Sequence, residues 1–279
     1  MELEKELYEK LTEGSYRHLA PGDYSEDALI KASDLLSTAY IKQMEGEENP
    51  KEVDQILDLI PNRLKESTYR NVNVNDVDDL IKSAFQAKKD RSRKNLFGET
   101  KIITPLKGET EQIISLCGET PRAIYKIVNT EAEYLETEWR RVHDIPDVPD
   151  EEDGSLGSVL LFHGSSKSSW VPILKDDRLD PTVGRDGYRG GWKTRSMGSI
   201  EDDFGVEQRN YYTPDIRTAK NYGNWIGIFD IAVGKPLKVS EKSTFTEYQL
   251  KEQGCDSLSL NDGQEIVARE GICKFLLEF

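Results

Sequence analysis

Three short strings in this chain combine residue types that can do chemistry. The first is Leu160-Leu161-Phe162-His163-Gly164-Ser165, an apolar run that ends in a polar turn. A histidine at a strand end can hold a hydroxyl of a bound ligand, and a glycine beside it lets that ligand reach backbone amide and carbonyl groups. The second runs from Tyr211 to Tyr222, reading YYTPDIRTAKNY. Two aromatic rings separated by a turn and a short helix can sandwich a planar ring through offset stacking and apolar burial. The third is Gly263-Gln264-Glu265-Ile266-Val267, a carboxylate at the entry of an apolar strand. Such a group can accept hydrogen bonds from sugar hydroxyls and stabilise positive charge developing on a sugar ring.

Each string also has a plain structural reading. A lone histidine is commonly a satisfied structural residue, two tyrosines can pack a sheet on a helix, and a glutamate at a strand entry is often only solvated. Order and placement weigh the other way: histidine on one strand, tyrosine in the next motif and glutamate on a later strand.

The positioning elements follow from two apolar periods. Over roughly the first hundred residues the period is helical. Ser25 can cap a helix whose stripe is Ala28, Leu29, Ala32, Leu35, Leu36, Ala39 and Tyr40. Asn49 and Pro50 supply an N-cap and first-turn proline ahead of Val53, Ile56, Leu57 and Ile60, and Asn75 can open a helix through Val77, Leu80, Ile81, Ala84 and Phe85. From about Pro121 the pattern becomes alternating or continuously apolar, as in strands of a mixed or antiparallel sheet. The expected strands are Ala123–Val128, Val159–Phe162, Tyr211–Thr213, Ile226–Val233, Glu265–Ala268 and Ile272–Phe279. In the last, Cys273, Phe275, Leu277 and Phe279 alternate with Lys274 and Glu278, so one face should point inward. The proline- and acid-rich stretch from Ile145 to Gly154 reads as a connector. The fold class is therefore α+β: a small helical bundle over 1–110, then a mixed or antiparallel β domain over 111–279.

Composition narrows the partners. A net charge of -15 repels phosphate backbones and argues against direct nucleic-acid binding without a local basic patch. The run from Lys88 to Lys94 reads instead as a solvated helix end. Three cysteines at wide spacing fit free thiols in a reducing compartment, and the three histidines lack the partners of a zinc site, so no metal is expected. The N-terminal MELEKELYEK has no apolar core of a signal peptide, and no membrane span is present, so the expectation is an intracellular protein, cytoplasmic or nuclear.

Taken together, the strings resemble the poly(ADP-ribose) polymerase family of diphtheria-toxin-like ADP-ribosyltransferases. His163-Gly164-Ser165 resembles the family's His-Gly-Ser motif, Tyr211 through Tyr222 its tyrosine-helix motif, and Glu265-Ile266-Val267 its glutamate strand. Trp170 to Leu174 with Arg178, Gly227 to Gly234, and Gly254 to Leu258 resemble further family segments. The resemblance implies a catalytic His163, Tyr211 and Glu265, with NAD as donor substrate and no metal. It places the nicotinamide between Tyr211 and Tyr222 with its amide on Gly164, and gives Ser165 and Arg178 to the adenosine side. ADP-ribose would pass to a protein acceptor, to the enzyme itself or to nucleic acid.

Three departures stand out. The serine expected three residues before the second tyrosine is Ala219, with Thr218 beside it. The segment 179–210 is longer than the family's donor loop, as a lid or an insertion. The segment between Gly234 and Glu265 is compact, which shortens the acceptor side. Leu57-Asp58-Leu59-Ile60-Pro61, after two amphipathic helices, is similar to the family's regulatory helical domain, which implies a shortened version packed near the donor cleft. The rival readings are a silent NAD- or ADP-ribose-binding module and a protein-interaction domain.

Overall fold

A computed structural model describes residues 2–14, 19–60, 72–91, 96–152, 154–176, 198–200, 209–241, 243–269 and 271–279. The chain falls into two compact units, Met1–Gly98 with Lys167–Lys175, and Glu99–Ser166 with Asp176–Phe279. Both helix and sheet are present, and most strand pairs are antiparallel.

In the first unit, α1 (Glu2–Thr12), α2 (Glu26–Met44), α3 (Lys51–Leu59) and α4 (Val74–Arg91) each bury one apolar stripe. Ser25 caps α2 by accepting from the Ala28 amide at 3.1 Å, as its position predicts. Two expected starts shift. Pro50 stands at the N-cap of α3 in an extended conformation, so the helix opens at Lys51 and Asn49 lies outside the cap. Asn73, and not Asn75, opens α4: its Oδ1 accepts from the amides of Asn75 and Asp76 at 2.9 and 3.0 Å. Pro50 makes no side-chain cap bond, whereas Asn73 caps α4 because its side-chain oxygen reaches amides of the first turn that have no partner within the helix. Tyr40 donates to Asp78 at 2.8 Å and ties α2 to α4, while the Lys42–Glu52 pair at 2.7 Å ties α2 to α3.

The second unit runs β1 (Lys101–Ile103), α5 (Lys107–Cys117), β2 (Ala123–Val128), α6 (Thr130–Val142), β3 (Ser158–Ser165), β4 (Gly198–Ile200), β5 (Asn210–Tyr212), α8 (Ile216–Lys220), β6 (Trp225–Ala232), β7 (Pro236–Val239), β8 (Ser243–Phe245), α9 (Glu247–Glu252), β9 (Ser257–Leu260), β10 (Glu265–Ala268) and β11 (Ile272–Glu278). Between β3 and β4 comes α7 (Trp170–Asp176), whose Trp170, Val171 and Leu174 are fully buried within the first unit. There Lys175 pairs with the buried Asp23 carboxylate, which also accepts from the Tyr8 hydroxyl at 3.0 Å.

Five strands order as β1-β2-β11-β6-β3, and four as β5-β10-β9-β7, with β4 and β8 a separate parallel pair. An isolated bridge joins the two larger sheets: Phe162 and Thr213 exchange both amide bonds, at 2.8 and 2.9 Å. Ile113, Cys117, Phe162, Ile216, Ala219, Ile226, Ile228 and Leu277 form one core; Ile200, Val239, Leu250, Cys255, Leu258, Leu260 and Val267 form another.

The C-terminal strand departs from strict alternation. A bulge between Cys273 and Phe275 shifts its register against β6, and Leu276 and Leu277 are both buried. One extra residue in the strand turns successive side chains off the simple two-residue repeat.

Candidate active site

The string Phe162-His163-Gly164-Ser165 does not turn. It continues β3 to its end, with His163 opposite Gly227, Gly164 opposite Ile226 and Ser165 opposite Trp225. The expected polar turn is therefore corrected to strand. The partner β6 is apolar and long enough to keep the ladder paired, which outweighs the weak strand preference of Gly and Ser.

His163 is thereby held rigidly on the edge strand of the larger sheet. Its ring meets Tyr212 and Phe229 edge-on, with centroids 6.0 and 6.1 Å apart, and Nδ1 lies 2.9 Å from the Tyr211 carbonyl. A carbonyl only accepts, so Nδ1 carries the proton in that bond and Nε2 of the neutral ring is an acceptor. Burial holds the imidazole below its ordinary pKa, against the opposing pull of the Tyr211 carbonyl. A neutral ring with a fixed tautomer suits accepting a hydroxyl from a polar ligand.

Gly164 is required by a close approach. A Cβ there would sit 2.8 Å from the Ala219 carbonyl carbon, closer still to its oxygen, and 3.3 Å from Cβ of Tyr222. The same crowding recurs where a Cβ on Gly223 would lie 2.8 Å from the Ser165 carbonyl carbon. These two glycines let the end of α8 lie directly on the end of β3, and so bring Tyr222 to the histidine strand. Ser165 stands at that junction.

Ala219 is fully buried in this contact, so the departure from serine is real in space as well as in sequence. Thr218 does not supply the missing hydroxyl, because its Oγ1 donates to the helix-capping Asp215 at 3.1 Å.

Tyr211 and Tyr212 point to opposite faces of β5. Tyr211 packs against the core of Val267 and Leu258, and its hydroxyl donates to the Gly198 carbonyl at 3.1 Å. Tyr212 is buried beneath His163, and its hydroxyl accepts from the Gly271 amide at 3.3 Å. Tyr222 is the more open of the two expected ring walls, at 40% exposure.

Glu265 opens β10, which pairs with β5 so that Val267 faces Tyr211. Its Oε1 accepts from the Tyr222 hydroxyl at 3.4 Å and its Oε2 from Asn261 Nδ2 at 3.0 Å. Asn261 begins the turn between β9 and β10, where Asn261, Asp262 and Gly263 all hold left-handed backbone with φ of 51°, 55° and 88°. Asn and Asp tolerate this region better than other residues with a Cβ.

The structure thus brings together His163, Gly164, Tyr211, Tyr222 and Glu265. The contacts form one chain: the Tyr211 carbonyl to His163, Gly164 to Tyr222, and Tyr222 to Glu265. Arg178 lies outside the described residues, as does segment 179–210 except for β4 and residues 209–210. Sequence reasoning missed Asn261 and Tyr212. The Asn-Asp-Gly turn and the adjacent pair Tyr211-Tyr212, with its opposite-facing side chains, were the available signals. Among the described residues no cluster of three or more His, Cys, Asp or Glu side chains could hold a metal ion, and no helix is long and apolar enough to cross a membrane.

Compared with known proteins, the chain matches no family model and no curated sequence.

Proposed function

We propose that this chain is an NAD-dependent ADP-ribosyltransferase of the poly(ADP-ribose) polymerase type, releasing nicotinamide and passing ADP-ribose to a protein acceptor, itself or nucleic acid. The supporting observation is the continuous contact chain from the Tyr211 carbonyl through His163 and Gly164 to Tyr222 and Glu265. Residues 48 and 43 positions apart along the chain meet there. Ordinary core packing gives no reason for it to end on a half-buried carboxylate.

In this reading the neutral His163 accepts from a ribose hydroxyl, Tyr222 and Tyr211 flank the nicotinamide, and Gly164 offers backbone groups to its amide. Ser165 and Arg178 serve the adenosine side. The bond between the anomeric carbon and the pyridinium nitrogen breaks with its electron pair going to nicotinamide, which leaves neutral. The acceptor oxygen or nitrogen forms the new bond to that carbon and gives up its proton to Glu265 or to solvent. Glu265 stabilises the positive charge that builds on the ribose between these events, and orientation supplies much of the remaining acceleration.

The deciding measurement is incubation of the full chain with labelled NAD. Transferase activity gives free nicotinamide together with label on protein, and gel and mass analysis then report chain length and the modified side chain. Saturable binding without nicotinamide release would identify a silent NAD- or ADP-ribose-binding module. No measurable affinity would leave a protein-interaction domain.

A further inference from the structure

Glu265 is held by two unequal hydrogen bonds. The one from Asn261 to Oε2 is of ordinary length at 3.0 Å, and the one from the exposed Tyr222 hydroxyl to Oε1 is long at 3.4 Å. Hydroxyl-to-oxygen bonds ordinarily span about 2.5–3.0 Å, so the Tyr222 contact is the weaker of the two. Their settings differ as well. Asn261 sits in a turn fixed by its own left-handed backbone, and the Gln264 amide donates to its carbonyl at 3.2 Å. Tyr222 follows α8 and closes the other side of the carboxylate.

We propose that Asn261 is the positioning residue of this site, keeping Oε2 in place while the donor's ribose hydroxyl displaces Tyr222 from Oε1. The assignment rests on the transferase reading above. Asn261 touches neither donor nor acceptor; it fixes the rotamer of the carboxylate that does. A glutamate has three side-chain torsions to order, and a carboxylate already clasped at one oxygen meets the developing cation without reorganising. The exchange at Oε1 is balanced: the carboxylate loses one hydroxyl donor and gains another, and the Tyr222 ring is released to lie against the nicotinamide.

Two substitutions isolate the side chain from the turn. Asn261→Gly removes the donor and keeps the left-handed backbone at no steric cost. Asn261→Asp keeps the backbone tolerance and the shape but sets a second carboxylate against Glu265. On the proposal, kcat for nicotinamide release falls about tenfold in Asn261→Gly and further in Asn261→Asp, while the KM for NAD stays within about twofold. A residue that only shapes the turn gives no such split.

Thermal unfolding of Asn261→Asp, alone and in a Glu265→Gln background, reads the contact without any activity. Tm should fall by roughly 2–4 °C where Glu265 is kept and by less than about 1 °C in the Glu265→Gln background. Equal shifts in the two backgrounds overturn the contact. Coupled shifts with unchanged kcat overturn the positioning role. Coupled shifts in a chain that releases no nicotinamide at all would show that the transferase reading fails while the Asn261–Glu265 contact stands, and the positioning role would fall with that reading.

Discussion

Adding one methyl group at Gly164 should part the two elements that make the site. In Gly164→Ala the new Cβ would stand 2.8 Å from the Ala219 carbonyl carbon and closer to the oxygen, whereas carbon contacts settle at about 3.5–4.0 Å. The end of α8 must therefore withdraw by roughly 1 Å. Ala219 cannot yield cheaply: it is fully buried, and its carbonyl accepts the Tyr222 amide at 3.1 Å. Overpacking typically costs about 1–3 kcal/mol when side chains can give way. Here the obstacle is main chain, which sets the cost at the upper end, about 3 kcal/mol. For a unit of this size that is a fall in Tm of roughly 6–12 °C. Because Tyr222 moves with α8, NAD affinity should fall too, even well below the new Tm. Differential scanning calorimetry and NAD titration at about 15 °C, where the fold is near its most stable, measure the two effects separately. A Gly164→Ala protein with the parent Tm and the parent affinity would refute the account of how β3 and α8 meet.

Glu265→Gln keeps an oxygen able to accept from Asn261 but removes the charge, so transfer measured by nicotinamide release should fall about 100-fold or more while NAD affinity changes little. Equal losses in both would make Glu265 a binding or folding residue. Tyr222→Ala removes an exposed ring wall, and NAD binding by fluorescence titration should weaken roughly three- to tenfold with Tm nearly unchanged. Because burial lowers the pKa of His163 in the folded protein, the unfolded chain takes up a proton near pH 6.5 that the folded one resists. Stability should be full above that pH and decline as pH falls below it, and His163→Gln should flatten the decline in Tm measured from about pH 7.5 to 5. A chain beginning at Pro121 loses β1 and the buried Ile113 and Cys117, which share a core with Phe162 and Leu277, and should not fold. One beginning at Glu99 keeps that core but strands Trp170, Val171 and Leu174, each worth about 1.5–3 kcal/mol of burial, and should aggregate on gel filtration. A monodisperse, folded Glu99 chain would show that α7 needs none of the first unit.

Local patterns carried much of the architecture. The helical stripe after Ser25, the strands at 123–128 and 265–268, and the mixed character of the sheets were legible because side-chain period reports directly which face an element buries. Where neighbouring residues offered alternative helix starts, at Asn49–Pro50 and Asn73–Asn75, local sequence left the choice open. The His-Gly-Ser string shows a deeper limit. Read alone it is a turn; paired along β6 it is strand, because the ladder's hydrogen bonds come from a strand that begins only at Trp225. Tertiary structure alone decided that Gly164 meets Ala219, that Tyr212 lies under His163 and that Asn261 holds Glu265. It also placed α7, which follows the histidine strand directly in sequence, in the unit built from residues 1–98. Composition and spacing encode what each residue can do, but which residues meet depends on strand register and on how closely two backbones can approach, and both are settled only when the whole unit packs.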